Sequence, residues 1–258
     1  MDSPTKQISD LGSRFLRYIS GCGMFVVLLC QTVRAVFRKW PKKSILLRQF
    51  YVIGNQSFLI VFMTGAFTGM VLALQSYYML RKVEFTNMIG AIVGVSIVRE
   101  LGPVLVALML SGRVGAAIAA ELGTMKVTEQ IDALRVLSAN PVKYLVLPRF
   151  LACVLLLPIL TLMADCMGII SGYIVSVNFM NISDFYYIQN THRYLGLWDL
   201  MSGLIKSVFF GGIIAITASY KGLNAEAGAE GVGKATTSAV VTSCVLVLAA
   251  NFLLTLIM

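Results

Sequence analysis

Residues 99–137 read RELGPVLVALMLSGRVGAAIAAELGTMKVTEQIDALRVL, and this stretch decides the fold. It opens with Arg99 and Glu100 inside an apolar run that ends at Leu110, and Gly102-Pro103 predicts a kink or break in that helix. A long polar segment follows, and a loop that merely joined two membrane spans would not need so much ordered sequence. The stretch therefore predicts a membrane helix that carries charge, followed by a structured polar hairpin.

The composition is that of a membrane protein. Of the 258 residues, 58% are hydrophobic and only 13% are charged, whereas a soluble domain carries roughly 25% charged residues. Apolar runs long enough to cross a bilayer recur along the chain, and they are continuous rather than alternating. Because a helix satisfies its own backbone hydrogen bonds in lipid, we expect an all-α integral membrane protein.

The apolar runs predict five transmembrane helices, over residues 51–80, 88–110, 141–177, 199–220 and 235–257. They are preceded by a basic amphipathic region, so the chain divides into residues 1–50 and residues 51–258. Residues 21–37 are apolar but short and carry polar interruptions. This pattern favours an interfacial helix that lies in the headgroup plane over one that crosses the bilayer.

The basic residues are unevenly distributed over this topology. With the N-terminus in the cytoplasm, sixteen of the 21 Lys and Arg residues fall on the cytoplasmic side, and the C-terminus lies outside. An excess of Lys and Arg on cytoplasmic segments orients membrane helices. The net charge of +9 therefore reflects membrane orientation rather than nucleic-acid binding.

Four ionisable residues lie within the predicted spans: Arg99, Glu100, Asp165 and Lys206. A charge at the bilayer centre costs at least ~2.5–3.5 kcal/mol, so such residues are functional candidates by default. At ~1.5 Å per residue, Arg99, Asp165 and Lys206 lie roughly 10–17 Å below the outer surface, around a polar cavity. Arg99 and Lys206 could hold an anionic headgroup while Glu100 or Asp165 balances their charge. Alternatively, the four residues could form interhelical ion pairs that fix the packing. For Asp165 and Lys206 the ion pair is favoured, because Lys206 can extend toward the outer surface.

Residues 228–235 read GAEGVGKA and nearly match a phosphate-binding loop. Ala235 stands where such a loop needs Ser or Thr for the metal ion, and Glu230 would repel phosphate. The stretch also lies between two membrane helices rather than between a strand and a helix. A tight turn within a glycine-rich loop over residues 221–234 is the better interpretation. The sequence offers no catalytic residues and no metal-ligand cluster.

The polar hairpin contains a short amphipathic helix over residues 128–138. Thr128 is its predicted N-cap, and Ile131 and Leu134 lie on one apolar face. The helix could lie on the membrane or fit a groove in a soluble partner. Its acidic start argues against an anionic leaflet and favours the protein partner.

The central motif resembles the MlaE/YrbE family of ABC transporter permeases. The resemblance rests on Glu100-Leu-Gly-Pro, on residues 111–134, on Asn140-Pro141 with Tyr144–Arg149, and on Glu230–Thr237, and it covers residues 50–258. It implies a dimeric, multi-pass permease in the inner membrane of a Gram-negative bacterium. The implied cargo is phospholipid, moved between the inner and outer membranes to maintain outer-membrane lipid asymmetry.

The resemblance also implies partners. The chain would not be an enzyme and would hold no cofactor or metal, because ATP and Mg would be bound by a cytoplasmic MlaF-type ATPase. The other implied partners are a second copy of the chain, an MlaB-type STAS-domain subunit and a periplasmic ring of MlaD-type MCE-domain subunits.

Two sets of site residues are predicted. The lipid-binding candidates are Arg99, Glu100, Asp165 and Lys206, of which the resemblance places Arg99 and Glu100 at the lipid cavity. The resemblance also places a helix that couples to the ATPase within residues 121–138. The predicted coupling residues are Glu121, Gly123, Thr124, Met125, Thr128, Glu129, Asp132 and Leu134.

Two other functions fit the residues. A secondary transporter for a small anion could use Arg99 and Lys206 for its substrate and Glu100 or Asp165 for protons, although five spans without an internal repeat are few for such a carrier. A non-transporting scaffold would only anchor cytoplasmic and periplasmic partners. Dependence on a separate ATPase distinguishes the permease from the secondary transporter. Charge removal at Arg99 and Glu100 distinguishes it from the scaffold, in which lipid transfer would be unchanged.

Overall fold

The computed structural model describes residues 23–36, 43–83 and 85–258, and every regular element in these ranges is a helix. The helices are α1 (Gly23–Val36), α2 (Lys43–Leu80), α3 (Thr86–Val127), α4 (Gln130–Val136), α5 (Val142–Asn178), α6 (Asp184–Tyr194), α7 (Leu197–Leu223) and α8 (Gly228–Ile257). Five of them, α2, α3, α5, α7 and α8, are long and apolar enough to cross a membrane. The predicted fold class is confirmed: five spans follow a shorter apolar helix.

The first helix, α1, is too short to cross a bilayer within its described residues. It reaches about 21 Å at 1.5 Å per residue, and the hydrocarbon core is ~30 Å thick. Only Leu28 and Thr32 of α1 are buried, and the interfacial position of this segment stays a prediction. Residues 1–22 and 37–42 lie outside the described residues. The boundary predicted at residue 50 falls inside α2, and the division there stays a prediction.

Close helix packing depends on glycines, which let backbones approach one another in a membrane. A Cβ added at Gly65 of α2 would lie 2.5 Å from the carbonyl oxygen of Ala164 on α5, and one at Gly69 would overlap the backbone of Gly168. On α7, a Cβ at Gly203 would overlap the carbonyl oxygen of Val98. These glycines therefore join helices of one chain, and Gly203 brings α7 against the charged part of α3.

The helix that carries the charged pair, α3, continues through Gly102-Pro103, where a break was expected. Just before the proline it widens into a π-helical turn over Ile97–Leu101, in which the N–H of Gly102 donates to the carbonyl of Ile97. Pro103 has no N–H, so it cannot donate to the carbonyl oxygen of Arg99, four residues earlier. The break is replaced by a local change of helix type that leaves one carbonyl free inside the bundle.

The polar hairpin begins later than predicted, because α3 continues to Val127. The assignment of Thr128 as an N-cap was wrong: its hydroxyl donates to the carbonyl of Thr124 at 2.9 Å, within the end of α3. A threonine hydroxyl readily bonds back to the preceding helical turn. The chain reverses instead at Glu129, whose φ of 58° is left-handed, and α4 follows.

The glycine-rich loop is also shorter than predicted. Because α7 ends at Leu223 and α8 begins at Gly228, the stretch that resembles a phosphate-binding loop forms the first turns of a helix. Glu230 and Lys234 pair at 2.8 Å one turn apart on its surface, a spacing that supports helix formation. The expected tight turn is confined to residues 224–227.

At the end of the bundle opposite α4, the short helix α6 packs on α3 and α5. Tyr187 of α6 is 2% exposed, and its hydroxyl donates to the carbonyl of Ile169 at 3.4 Å. Burial raises the pKa of the Tyr187 hydroxyl. Gly90 of α3 provides the close approach, since a Cβ there would lie 2.5 Å from the Tyr187 carbonyl oxygen.

Candidate functional site

Four polar side chains meet where α3, α7 and α8 come together, with Lys206 buried and Thr255 at the surface. We call Glu100, Lys206, Asn251 and Thr255 the polar cluster. Lys206 Nζ lies 2.6 Å from Glu100 Oε1 and 2.9 Å from Thr255 Oγ1. The amide of Asn251 donates to Glu100 Oε2 at 3.2 Å. The cluster therefore joins three membrane helices through charged and polar contacts.

Lys206 is completely enclosed by this arrangement. Its third hydrogen bond goes to the carbonyl oxygen of Arg99, at 3.2 Å, which is the acceptor left free by Pro103. An ammonium group has three N–H donors, and all three have acceptors while the side chain is 0% exposed. The expectation that Lys206 extends to the outer surface is wrong, because the close approach at Gly203 brings its ammonium group to α3. Lys206 therefore lines no cavity within a single copy of the chain.

Glu100 is partly accessible, with 33% of its side chain exposed, and Thr255 beside it is also exposed. Its carboxylate neutralises Lys206, and removing one partner from a buried ion pair costs ~3–5 kcal/mol. The same carboxylate also accepts a hydrogen bond from Asn251. Glu100 thus stabilises the bundle and presents charge at its surface.

Arg99 has a different partner from its neighbour, as adjacent positions on a helix require. Its Nη1 lies 3.7 Å from Asp199 Oδ1, and its side chain is 40% exposed. Asp199 is also occupied at the start of α7, where its Oδ2 accepts the N–H of Gly196 at 3.0 Å. A separation of 3.7 Å is longer than a hydrogen bond, so the guanidinium remains available to an anion beside Glu100.

Asp165 lies apart from the polar cluster. It is 3% exposed on α5, and its Oδ1 has no hydrogen-bond partner among the described residues. The carboxyl group packs on α3 at Gly102, where an added Cβ would overlap Oδ1. Since Glu100 and Gly102 are two residues apart, they point to different sides of α3. The structure therefore brings Glu100 and Lys206 together, whereas Asp165 of α5 contacts a different face of α3.

Sequence reasoning missed Asn251 and Thr255. The available signal was two polar residues one turn apart in the most apolar span, a spacing that puts both on one face of α8. Pro103 shows from the sequence that the carbonyl of Arg99 lacks its helical donor, but its contact with Lys206 depends on how α7 packs on α3.

The predicted coupling residues lie at one end of the bundle, on the last turns of α3, on α4 and on the turn between them. Glu121 pairs with Arg149 of α5 at 2.8 Å, and Arg149 is only 5% exposed. Asp132 of α4 lies 3.5 Å from Lys126 and 2.9 Å from Arg135. These ion pairs connect α4 to α3, and α3 to α5. A force applied to α4 would therefore reach two membrane helices.

The remaining coupling residues divide into buried and exposed ones. Gly123 is buried against the α7–α8 connection, Met125 and Leu134 pack against the core, and Thr124, Thr128 and Glu129 are exposed. The apolar face of α4 is directed at its own chain, since Ile131 is 1% exposed. Val136 and Leu137, which the sequence analysis did not single out, are 85% and 76% exposed. They form an apolar tip at the end of the hairpin.

Together these features define a multi-pass helical membrane protein with a charged cluster inside its bundle and a projecting polar hairpin at one end. The family model described as Permease MlaE matches residues 46–257. A probable ABC transporter permease protein of Rickettsia typhi is 43% identical over 245 residues, which cover 95% of each chain. The intermembrane phospholipid transport system permease protein MlaE of Haemophilus influenzae is 37% identical over 254 residues, or 97% of each chain.

A plant protein is also similar to this chain. The chloroplast protein TRIGALACTOSYLDIACYLGLYCEROL 1 of Arabidopsis thaliana is 40% identical over 208 residues, which cover 81% of this chain and 59% of that protein. The chain belongs to the MlaE permease family, as its central motif indicated. It is a membrane permease subunit of the ABC transporter type.

Proposed function

We propose that this chain is the permease subunit of an ATP-driven transporter that moves phospholipids between the inner and outer membranes and so maintains outer-membrane lipid asymmetry. The observation that carries the proposal is the pair of adjacent charges, Arg99 and Glu100, that reach the surface of the bundle beside the sealed Lys206. Family membership and the name of the Haemophilus relative support the choice of cargo.

The two accessible charges suit a phospholipid headgroup. Arg99 would bind the phosphate, because a guanidinium presents several N–H donors to its oxygens. Glu100 would bind an amine or hydroxyl of the headgroup while remaining fixed by Lys206. A second copy of the chain would complete the cavity, since α8 exposes apolar side chains such as Val245 and Phe252 next to the polar cluster. Asp165 would act only indirectly, through the packing of α3.

The energy would come from a separate MlaF-type ATPase that binds ATP and Mg in the cytoplasm and docks on α4. The exposed Glu129 and the apolar tip of Val136 and Leu137 offer a mixed surface for that contact. The complex would also contain an MlaB-type STAS-domain subunit and a periplasmic ring of MlaD-type subunits. The chain would lie in the inner membrane with its N-terminus and α4 in the cytoplasm and its C-terminus in the periplasm, an orientation that the distribution of Lys and Arg supports.

Lipid transfer by the complete complex tests this proposal. The complex would be reconstituted in vesicles, and ATP-dependent transfer of a fluorescent phospholipid to the periplasmic subunits would be measured. Arg99→Gln and Glu100→Gln should each lower transfer about tenfold, the loss of one charge-assisted hydrogen bond. Glu230→Gln is the matched control, because Glu230 is 82% exposed in a surface pair.

The two other functions predict different results in the same assay. A scaffold would assemble with its partners and leave transfer unchanged in both variants. A secondary transporter would move a small anion without ATP and would respond to a proton gradient. Either result would refute the proposed function.

A further inference from the structure

A second polar site lies far from the polar cluster, between the α4-side ends of α2 and α3. We call it the Arg113 cleft. It has a volume of about 90 Å³, and its polar lining residues are Gln49, Gln56, Arg113 and Glu121. Apolar side chains of both helices, including Val52 and Ile118, complete its walls. Water has a share of about 30 Å³ in the liquid, so the cleft has room for a group of several heavy atoms.

Arg113 is held in position by neutral groups. Its Nη1 donates to Ser57 Oγ at 2.9 Å, and its Nη2 donates to Gln56 Oε1 at 2.9 Å. Ser57 is 1% exposed, so the guanidinium is anchored at a fixed point of α2. Among the residues that the structure describes, no carboxylate forms an ion pair with Arg113. A guanidinium has five N–H donors, and the remaining ones are available to an anion.

The one carboxylate in the cleft is already neutralised. Glu121 Oε2 lies 2.8 Å from Arg149 Nη2, and Arg149 is almost completely buried behind it. Arg113, Glu121 and Arg149 therefore leave one positive charge, located on Arg113. The amide groups of Gln49 and Gln56 can add neutral hydrogen bonds to a ligand in the same space.

Helix geometry also marks this position. Arg113 lies in the π-helical turn Ser111–Gly115, and Gln56 directly follows the π-helical turn Tyr51–Asn55. Single π-helical turns within α-helices occur frequently at functional sites. Both turns contribute lining residues to the cleft, and Arg113 of one donates to Gln56 and Ser57, just after the other.

The depth of the cleft identifies the class of ligand. Arg113 is thirteen residues from Glu100 along α3, or about 20 Å, and Gln56 is about 36 Å from the far end of α2 at Leu80. A hydrocarbon core of ~30 Å therefore ends near the cleft, at the level of lipid phosphates. The neighbouring face of α2 is apolar and exposed, with Tyr51 at 65% and Leu59 at 66%. Acyl chains can lie along this face below the cleft.

We propose that the Arg113 cleft binds the phosphate of a phospholipid from the cytoplasmic leaflet. Arg113 would bind the phosphate oxygens, Gln49 and Gln56 would donate hydrogen bonds, and the acyl chains would follow α2. This site is separate from the headgroup site at Arg99 and Glu100. It rests on the proposed orientation of the chain but requires no ATP and no transport.

Photolabelling of the full-length chain tests the inference. The protein would be reconstituted in vesicles of phosphatidylethanolamine and phosphatidylglycerol that contain a phosphatidylglycerol with a diazirine near its glycerol. Labelled peptides would be mapped by mass spectrometry. In the natural protein we expect label concentrated on α2 near Val52 and on α3 near Ala117. Label spread evenly over all lipid-facing helices would overturn the inference.

Charge variants sharpen the result. Arg113→Gln should lower labelling at the cleft about tenfold, and Arg113→Lys should lower it less, because the charge remains while the paired donors are lost. Lys143→Gln, which removes an exposed cation at the same end of the bundle, should leave labelling unchanged. Unchanged labelling in Arg113→Gln would refute the site.

Two further arms keep the test decisive. If Arg113→Gln does not fold, Gln56→Leu removes one anchor of the guanidinium and should lower cleft labelling with the fold retained. Inorganic phosphate added to the natural protein should not compete. If it displaced the label at cellular phosphate concentrations, free phosphate would be the natural occupant and the lipid assignment would fall. A complex that transports lipid but lacks cleft labelling would overturn this inference while leaving the proposed function intact.

Discussion

Removing the charge of Glu100 should destabilise the protein more than removing the charge of its partner Lys206. Glu100→Ala leaves an ammonium group that is 0% exposed with only the carbonyl of Arg99 and the hydroxyl of Thr255 as acceptors. Breaking a buried pair in this way costs ~3–5 kcal/mol. Because Glu100 is one third exposed, we expect the lower end, about 3 kcal/mol.

The reciprocal change has a smaller expected effect. Lys206→Met removes the enclosed charge and keeps a side chain of similar length. The Glu100 carboxylate that remains can be hydrated through its exposed surface, so we expect a cost of about 1 kcal/mol, close to that of one hydrogen bond. The double variant should be more stable than Glu100→Ala alone, because no uncompensated charge remains inside the bundle.

Unfolding in mixed lipid–detergent micelles, followed by circular dichroism over a denaturant series, measures these differences. A cost of 1.4 kcal/mol corresponds to tenfold in the folding equilibrium constant, so the two single variants should differ by more than tenfold. Glu230→Ala, in an exposed pair on α8, should stay within about 0.5 kcal/mol of the natural protein. Equal costs for the two single variants, or a double variant whose cost is the sum of both, would refute the enclosed-charge argument.

Three further predictions concern other contacts of the bundle. Gly102→Ala should cost about 1–3 kcal/mol of stability, because its Cβ overlaps Asp165 Oδ1, and adding Asp165→Ala should restore most of it in the same unfolding assay. Glu121→Arg should lower the yield of folded protein by leaving Arg149 buried without its counter-charge, and adding Arg149→Glu should recover it. Glu129→Lys should weaken ATPase docking by about 1 kcal/mol, the loss of one exposed ion pair. ATPase co-purification should therefore fall several-fold.

Each of these predictions has an outcome that would contradict it. If Gly102→Ala were as stable as the natural protein, the close contact of α3 with Asp165 would be incorrect. If the reversed pair at Glu121 and Arg149 were no better than the single variants, the ion pair would not hold α3 to α5. The control for Glu129→Lys is Asp184→Lys. Asp184 lies on α6, at the opposite end of the bundle from α4, so ATPase co-purification should be unchanged. Normal co-purification of the ATPase with Glu129→Lys would contradict docking through the α4 hairpin.

The sequence predicted the fold class and the order of the spans because both depend on local properties. Long apolar runs must be helical in lipid, and their lengths set the number of crossings. The helix ends were harder to predict. The stretch at Gly228 was predicted as a loop and the segment after Leu110 as a polar hairpin outside the span. Both extend helices instead, because projecting ends of α8 and α3 pack against their neighbours.

The site was predicted only in part. The sequence showed that ionised residues lie in the spans at similar depth, and Glu100 and Lys206 do meet. It also placed Asp165 in the same group. In the structure α3 lies between Asp165 and the polar cluster. Asn251 and Thr255 share one face of α8, but nothing in the sequence indicated that this face contacts Glu100.

The sequence by itself determined that the chain is a five-span membrane protein of the MlaE family with charge inside its spans, because composition, run length and motif are properties of the chain alone. Only the tertiary structure decided which charges meet and which are sealed. Partner choice depends on how each helix is rotated, and a π-helical turn adds one residue, which turns every later side chain by roughly 100°. The turn before Pro103 therefore fixes the face of α3 that Asp165 contacts, while Pro103 itself frees the Arg99 carbonyl to which Lys206 donates.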